Sequence, residues 1–279
     1  MASARSYRAT VQSIPNSVWT DLSASAARWD DGPMWSAANP TRLTTTASGL
    51  HIVGANVGFV AATGGRWARI MRGGDTRNVA MTAQAAGAGL VCAMSPSTLV
   101  DATAGDYYVA ALYQNSGAAL NTDSVVDHAA TDFHLTTLPA GAVGARRESA
   151  AAQSIPNATW TLLTLDTTVF DTSTPAMASG STLVAPADGH YAMWAGAYIP
   201  AAAGIAGAYW LLIHAGGLNV ALSGPGSSIG SATAISTTAT RYLTAGQVLT
   251  AYFYQASGAP RLLDTTELRP YLAAARIGP

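Results

Sequence analysis

Lysine is absent from this 279-residue chain, and cysteine occurs once. All 14 basic residues are arginine, and they nearly balance the 15 acidic ones, for a formal net charge of -1. Charged residues are only 10% of the sequence, against about 25% in an average soluble protein. A general nucleic-acid binder would show a basic stripe, so nucleic acid is excluded as the expected partner. Cys92 alone builds neither an intrachain disulfide nor a thiolate metal site. Among small residues such a cysteine reads as a buried small hydrophobe. Gly, Pro or polar residues break every apolar run well short of the roughly 20 residues that span a bilayer, so no membrane insertion is expected. Residues 1–11 contain Arg5 and Arg8 but no apolar core of a signal peptide. The chain is expected to be made in a cytoplasm and not exported by the general route. Missing lysine with heavy Ala and Gly use reflects a GC-rich genome and carries no chemistry.

What is present is a globular composition. Hydrophobic residues make up 49% of the chain, which together with low net charge argues against disorder. The surface must be largely Thr, Ser, Asn, Gly and Ala. Such a surface lacks the usual solubilising charge, so an assembly is expected.

The chain also repeats itself. Gln12-Ser13-Ile14-Pro15-Asn16-Ser17-Val18-Trp19-Thr20 returns as Gln153-Ser154-Ile155-Pro156-Asn157-Ala158-Thr159-Trp160-Thr161. Tyr113-Gln114-Asn115-Ser116-Gly117 returns as Tyr254-Gln255-Ala256-Ser257-Gly258. Both echoes keep the same offset, so whole domains are duplicated, because solenoid repeats have periods of only about 20–50 residues. The expected organisation is an N-terminal docking arm over 1–11, a first domain over 12–140, a linker over 141–150 and a second domain over 151–279. Runs such as Tyr107 to Tyr113 and Val248 to Tyr254, bounded by Gly, Pro, Asn and Asp clusters, read as strands. Ser48-Gly49 and Asp188-Gly189 read as tight turns that need positive φ. Phe133 to Leu138 and Leu268 to Ile277 read as last strands, and the alanine run 201–203 as loop or strand. No sustained helical period appears, so the fold class is all-β.

The order of motifs resembles a known family. Ile-Pro-Asn-x-x-Trp-Thr leads to an aromatic-Asp pair (Trp29-Asp30; Phe170-Asp171), then to Pro-Ala-Asp-Gly-His-Tyr at Pro186 to Tyr191. Leu243 to Gln247 then runs into Tyr-Gln-x-Ser-Gly. This resembles the globular-head jelly roll of the complement and tumour-necrosis-factor families, in the variant of bacteriophage virion proteins. In the first copy Thr-Ala-Ser-Gly-Leu-His replaces the central turn, a departure from the pattern. The resemblance implies two tandem antiparallel jelly-roll β-sandwiches that assemble as a homotrimer. Tyr113, Gln114, Tyr209, Trp210, Tyr254 and Gln255 are its candidates for the three-fold axis, with packing inside each domain's own core as the alternative.

Little points to catalysis, and neither a cofactor nor a metal is expected. His51, His128, His134, His190 and His214 are scattered; His128 with Asp127 and Asp132 is the one grouping near ion-site composition. No Gly-x-Ser-x-Gly elbow appears. Gly224 to Gly230 is glycine-rich, but it lacks the lysine and spacing of a phosphate loop, and the resemblance implies a surface loop there. The two glutamates, Glu148 and Glu267, lie at domain ends, which disfavours a glycosidase pair. Arg66, Arg69, Arg72 and Arg77 cluster only in the first copy. They are candidates to bind an acidic neighbour, a virion protein or an anionic glycan, through bidentate contacts; the alternative is a merely solubilising face. The expected function is a non-enzymatic structural and attachment protein of a bacteriophage virion: a minor tail or tail-fibre head, or a capsid decoration trimer. The alternative is a lectin-like module for host wall glycan, stacking sugars on Trp29, Trp35, Trp67, Trp194 and Trp210; a depolymerase is a third reading.

Overall fold

Runs of β-branched and aromatic residues cut by glycine turns leave the chain few options except strands. The computed structural model describes residues 2–75, 77–86, 92–123, 131–200, 207–227 and 232–279, and these contain strands and no helix. The chain divides into two compact units, Met1–Leu138 and Pro139–Pro279.

In the first unit eight strands carry the architecture: β1 (Ser3–Tyr7), β2 (Arg42–Thr44), β3 (Gly49–Phe59), β4 (Gly64–Arg72), β5 (Asn78–Ala86), β6 (Ser97–Ala102), β7 (Tyr107–Gln114) and β8 (Asp132–Thr137). One sheet runs β6-β3-β8-β1 and the other β2-β7-β4-β5. The second unit repeats this with β9 (Gly144–Glu148), β10 (Thr182–Val184), β11 (Gly189–Ile199), β12 (Ala208–Ala215), β13 (Leu218–Ser227), β14 (Thr233–Leu243), β15 (Val248–Ala256) and β16 (Tyr271–Gly278). Its sheets run β14-β11-β16-β9 and β10-β15-β12-β13. Within each unit the order is therefore first-eighth-third-sixth against second-seventh-fourth-fifth, the winding of a jelly roll. Every paired strand is antiparallel.

Alternation decides the core. Leu43, Val53, Ile70, Leu112 and Leu135 point between the first unit's sheets, and Leu183, Met193, Leu211, Phe253 and Leu272 between the second's. Removing any one to Ala costs about 2–5 kcal/mol, because close-packed neighbours relax only in part. Gly216-Gly217 joins β12 to β13 in two residues, both at positive φ (57° and 81°), as a type I′ hairpin requires. Gly49 and Gly189 also take positive φ, in the turns expected there.

The two sequence echoes of each copy bind one another. Gln114 Nε2 donates to the carbonyls of Ile14 (3.0 Å) and Ala118 (2.8 Å), and its Oε1 accepts from Ser116 N and Oγ. Gln255 makes the same bonds to Ile155 (3.1 Å), Ala259 (2.8 Å) and Ser257. Asn16 Oδ1 accepts from Gly117 N, and Asn157 Oδ1 from Gly258 N, each at 2.8 Å. The repeated motifs are thus one buried clamp, fastening the Ile-Pro-Asn turn to the end of the seventh strand.

Three expectations need correction. Residues 1–11 are not a free arm: β1 pairs with β8, because Ala4 alternates into the core while Arg5 faces out. Residues 141–150 are not a linker: Gly144–Glu148 is β9, hydrogen-bonded to β16. The Gly224 segment is not a loop as far as Ser227, since β13 runs through it. Ser228 to Gly230, the alanine run 201–203, and Asp127 with His128 lie outside the described residues.

Candidate functional site

Strand period two sorts the six axis candidates into opposite sets. Gln114, Tyr209 and Gln255 point inward and are buried in their own unit, which corrects their assignment to an intersubunit axis. Their polar groups or rings are already occupied there, by the amide clamps and by the contact of Tyr209 with Phe253. Tyr113, Trp210 and Tyr254 alternate outward. There they join a feature that both copies build on the same sheet face.

In the first unit Trp19 lies 5.3 Å from Tyr113 (ring centroids), and Trp67 meets Tyr113 edge-on at 5.1 Å. In the second unit Trp160 lies 5.3 Å from Tyr254, and Trp210 meets Tyr254 at 5.1 Å. Two rings of each shelf are strand-borne: Tyr113 pairs with Trp67 across β7 and β4, and Tyr254 with Trp210 across β15 and β12, while Trp19 and Trp160 stand just before the short strands that begin at Thr20 and Thr161. A side chain at Gly224 would strike the Trp210 ring, so glycine there lets the indole lie down on β13.

The copies then diverge. In the first, Arg69 stacks its guanidinium 3.9 Å over Trp19 and so caps the shelf. The position matching Arg69 in the second unit is Leu212: Arg69 pairs with Ala111 and Met81, and Leu212 with Tyr252 and Leu222. Without the cap and with tyrosine for alanine, a groove of about 340 Å³ opens, lined by Trp160, Leu212, His214, Asn219, Leu222 and Tyr252. Trp160 is 43% exposed and Leu222 60%. The His214 ring is held edge-on to Tyr252 at 6.3 Å.

The four arginines do not form one patch. Arg66 is fully buried, donating to the carbonyls of Ala62, Thr63 and Gly65. Arg69 is on Trp19, Arg72 is 2.5 Å from Asp106, and Arg77 reaches Asp75 at 4.0 Å. Alternation turned Arg66 into the end of the sandwich, where loop carbonyls replace the carboxylate expected from a partner. Among the tryptophans expected to stack sugars, Trp67 and Trp194 are buried and Trp35 is half-buried, while Trp29 is exposed with Arg5 over its ring. Only Trp210 belongs to an open shelf. Trp160, its most exposed member, was not among the expected platforms, although its recurrence at the position of Trp19 in both echoes is the signal that marks it.

The described histidines stay apart. His51 is buried, its Nδ1 2.8 Å from Gly49 O, and burial pushes its pKa down. His134 lies 3.5 Å from Asp132, which Arg5 and Asn56 also contact. Burial alone would raise the Asp132 pKa; the hydrogen bonds from His134, Arg5 and Asn56 and the charge of Arg5 bring it below the usual carboxylate range. His190 stacks edge-on against Tyr242 at 5.3 Å. Among the described residues no three His, Cys, Asp or Glu side chains gather as a metal site. Cys92 is buried, and desolvation lifts its thiol to about 11.

No family model and no curated protein matches the chain. Among solved structures, that of murine APRIL at pH 5.0 aligns with 49% of this chain and 98% of its own, at 11% identity and a TM-score of 0.40. The globular domain of the zebrafish complement 1qA protein aligns with 50% and 98%, at 8% identity and a TM-score of 0.38.

Proposed function

We propose that this chain is a non-enzymatic surface protein that works by holding other surfaces. It is a homotrimeric knob on a bacteriophage particle, at the tail or as capsid decoration, serving assembly and host attachment. The observation that carries this reading is the aromatic shelf repeated on the outward face of the same sheet in both units. Two rings of each shelf are held by strand ladders before a partner arrives, which lowers the ordering entropy that opposes binding. Leu162, Leu218, Leu222 and Val248 stand exposed in the same sheet of the second unit. Together with low charge, such a face favours association. Two experiments test the proposal: sedimentation of the full chain at micromolar concentration, and its retention on host cell envelopes. A trimer that is retained supports it. A monomer that washes off refutes it.

A further inference from the structure

The groove of the second unit has a chemistry that selects its occupant. We propose that it binds one pyranose unit of an uncharged glycan; this rests on the attachment reading above and names its ligand. Its volume, about 340 Å³, falls at the small end of ligand pockets, roughly 300–1,000 Å³. That suits a single ring and the start of the next. Trp160, Leu212, Leu222 and Tyr252 offer flat or branched apolar surface to the C–H face of a sugar. His214, Asn219 and the hydroxyl of Tyr252 bring hydrogen-bonding groups to the same lining, where the rim hydroxyls of a sugar lie.

Among the described residues no carboxylate or guanidinium belongs to the lining. An anion or cation would lose water there without gaining a counter-charge, whereas a neutral polyol exchanges one set of hydrogen bonds for another.

The floor is pre-set. Trp160 rests against Tyr254, Tyr254 against Trp210, and His214 against Tyr252. The first unit supplies a natural comparison within the same chain. It keeps the Trp19–Tyr113–Trp67 shelf, but Arg69 covers Trp19 and Ala111 stands where Tyr252 makes the wall. Duplication therefore yielded one closed shelf and one open groove, and the inference assigns the sugar to the open one.

The test uses the full chain, with the methyl glycosides of glucose, galactose, mannose and rhamnose and with N-acetylglucosamine as probes, and glucuronate as the charged comparison. Calorimetric titration is paired with the indole N–H resonances of the tryptophans. At least one neutral probe should bind with a dissociation constant on the order of a millimolar, and more tightly than glucuronate. Trp160→Ala and Leu212→Arg should each weaken it by about tenfold or more, while Trp19→Ala leaves it unchanged. Leu212→Arg rebuilds the first unit's cap on an outward position, so it remains informative if Trp160→Ala unfolds. Binding by none of the neutral probes, tighter binding of glucuronate, or binding that survives both groove variants overturns the inference. Envelope retention separates the two levels: retention indifferent to the groove variants sinks the sugar site and leaves the attachment reading standing. Loss of retention in the unaltered chain sinks the reading itself.

Discussion

Gln114→Ala tests whether the repeated motifs are a structural clamp. One buried amide there makes four hydrogen bonds, two donated by Nε2 and two accepted by Oε1. Truncation leaves the carbonyl of Ile14 and the N–H of Ser116 without that partner, while the Ala118 carbonyl keeps the Ser116 hydroxyl at 3.2 Å. Each orphan in a dry site costs about 1–3 kcal/mol. Gly117 and Ala118 are exposed, so water reaches part of the turn. The net loss is therefore roughly 3–4 kcal/mol, inside the range of about 2–6 for the two orphans. For a unit of this size each kcal/mol moves the melting temperature by roughly 3–4 °C, giving a fall of about 10–15 °C in the first unit's transition. Gln255→Ala should do the same to the second, since its bonds match in partner and length. Gln→Glu keeps the shape but sets an oxygen against two carbonyls, and should be no better than Ala. Differential scanning calorimetry reads all four variants. Shifts of less than about 3 °C for either alanine variant would refute the clamp.

Acid should weaken the first unit before the second. His51 has a lowered folded pKa, so the unfolded chain binds its proton first and stability falls as pH drops below the ordinary histidine value of 6.5. Asp132 is also lowered, so its contribution is present above the ordinary carboxylate value of 3.8 and is lost as pH falls through the folded value. Tyr191 occupies the β11 position equivalent to His51, and calorimetry at stepped pH should show the first transition moving alone near pH 6 (roughly, from the histidine value). Asp132→Ala leaves Arg5, Asn56 and His134 without their common partner and should remove roughly 2–4 kcal/mol from the first unit by urea titration. Cys92, buried with its thiol raised to about 11, should resist thiol reagents at pH 8 until urea unfolds the first unit. Arg69→Ala uncovers Trp19 and should increase acrylamide quenching of tryptophan fluorescence with a stability change of about 1 kcal/mol.

The duplication, the all-β class and most strand positions were legible in the sequence, because each rests on local signals: aromatic and β-branched runs, Gly-Gly and Asp-Gly turns, and an offset held over a hundred residues. The Gln and Ser of the second echo were visible as a motif, but their partner was not. Ile14 and Gln114 meet only when the seventh strand lies beside the first turn. Boundaries failed where a strand is short and polar, as in Ser3–Tyr7 and Gly144–Glu148, whose pairing comes from the far end of each unit.

Alternation told that Tyr254 and Gln255 face opposite ways, yet not which way was out. That depends on the opposing sheet, and it put Gln255 and Tyr209 in the core and Trp210 on the shelf. The same holds for charge. Arg66, Arg69 and Arg72 stand close in sequence, but partners from other segments set their roles: loop carbonyls, the Trp19 ring and Asp106. The chain alone determined that it would be two β-sandwiches of one kind. Only tertiary structure decided that one carries a covered shelf and the other an open groove, because cross-strand neighbours many residues apart make that difference.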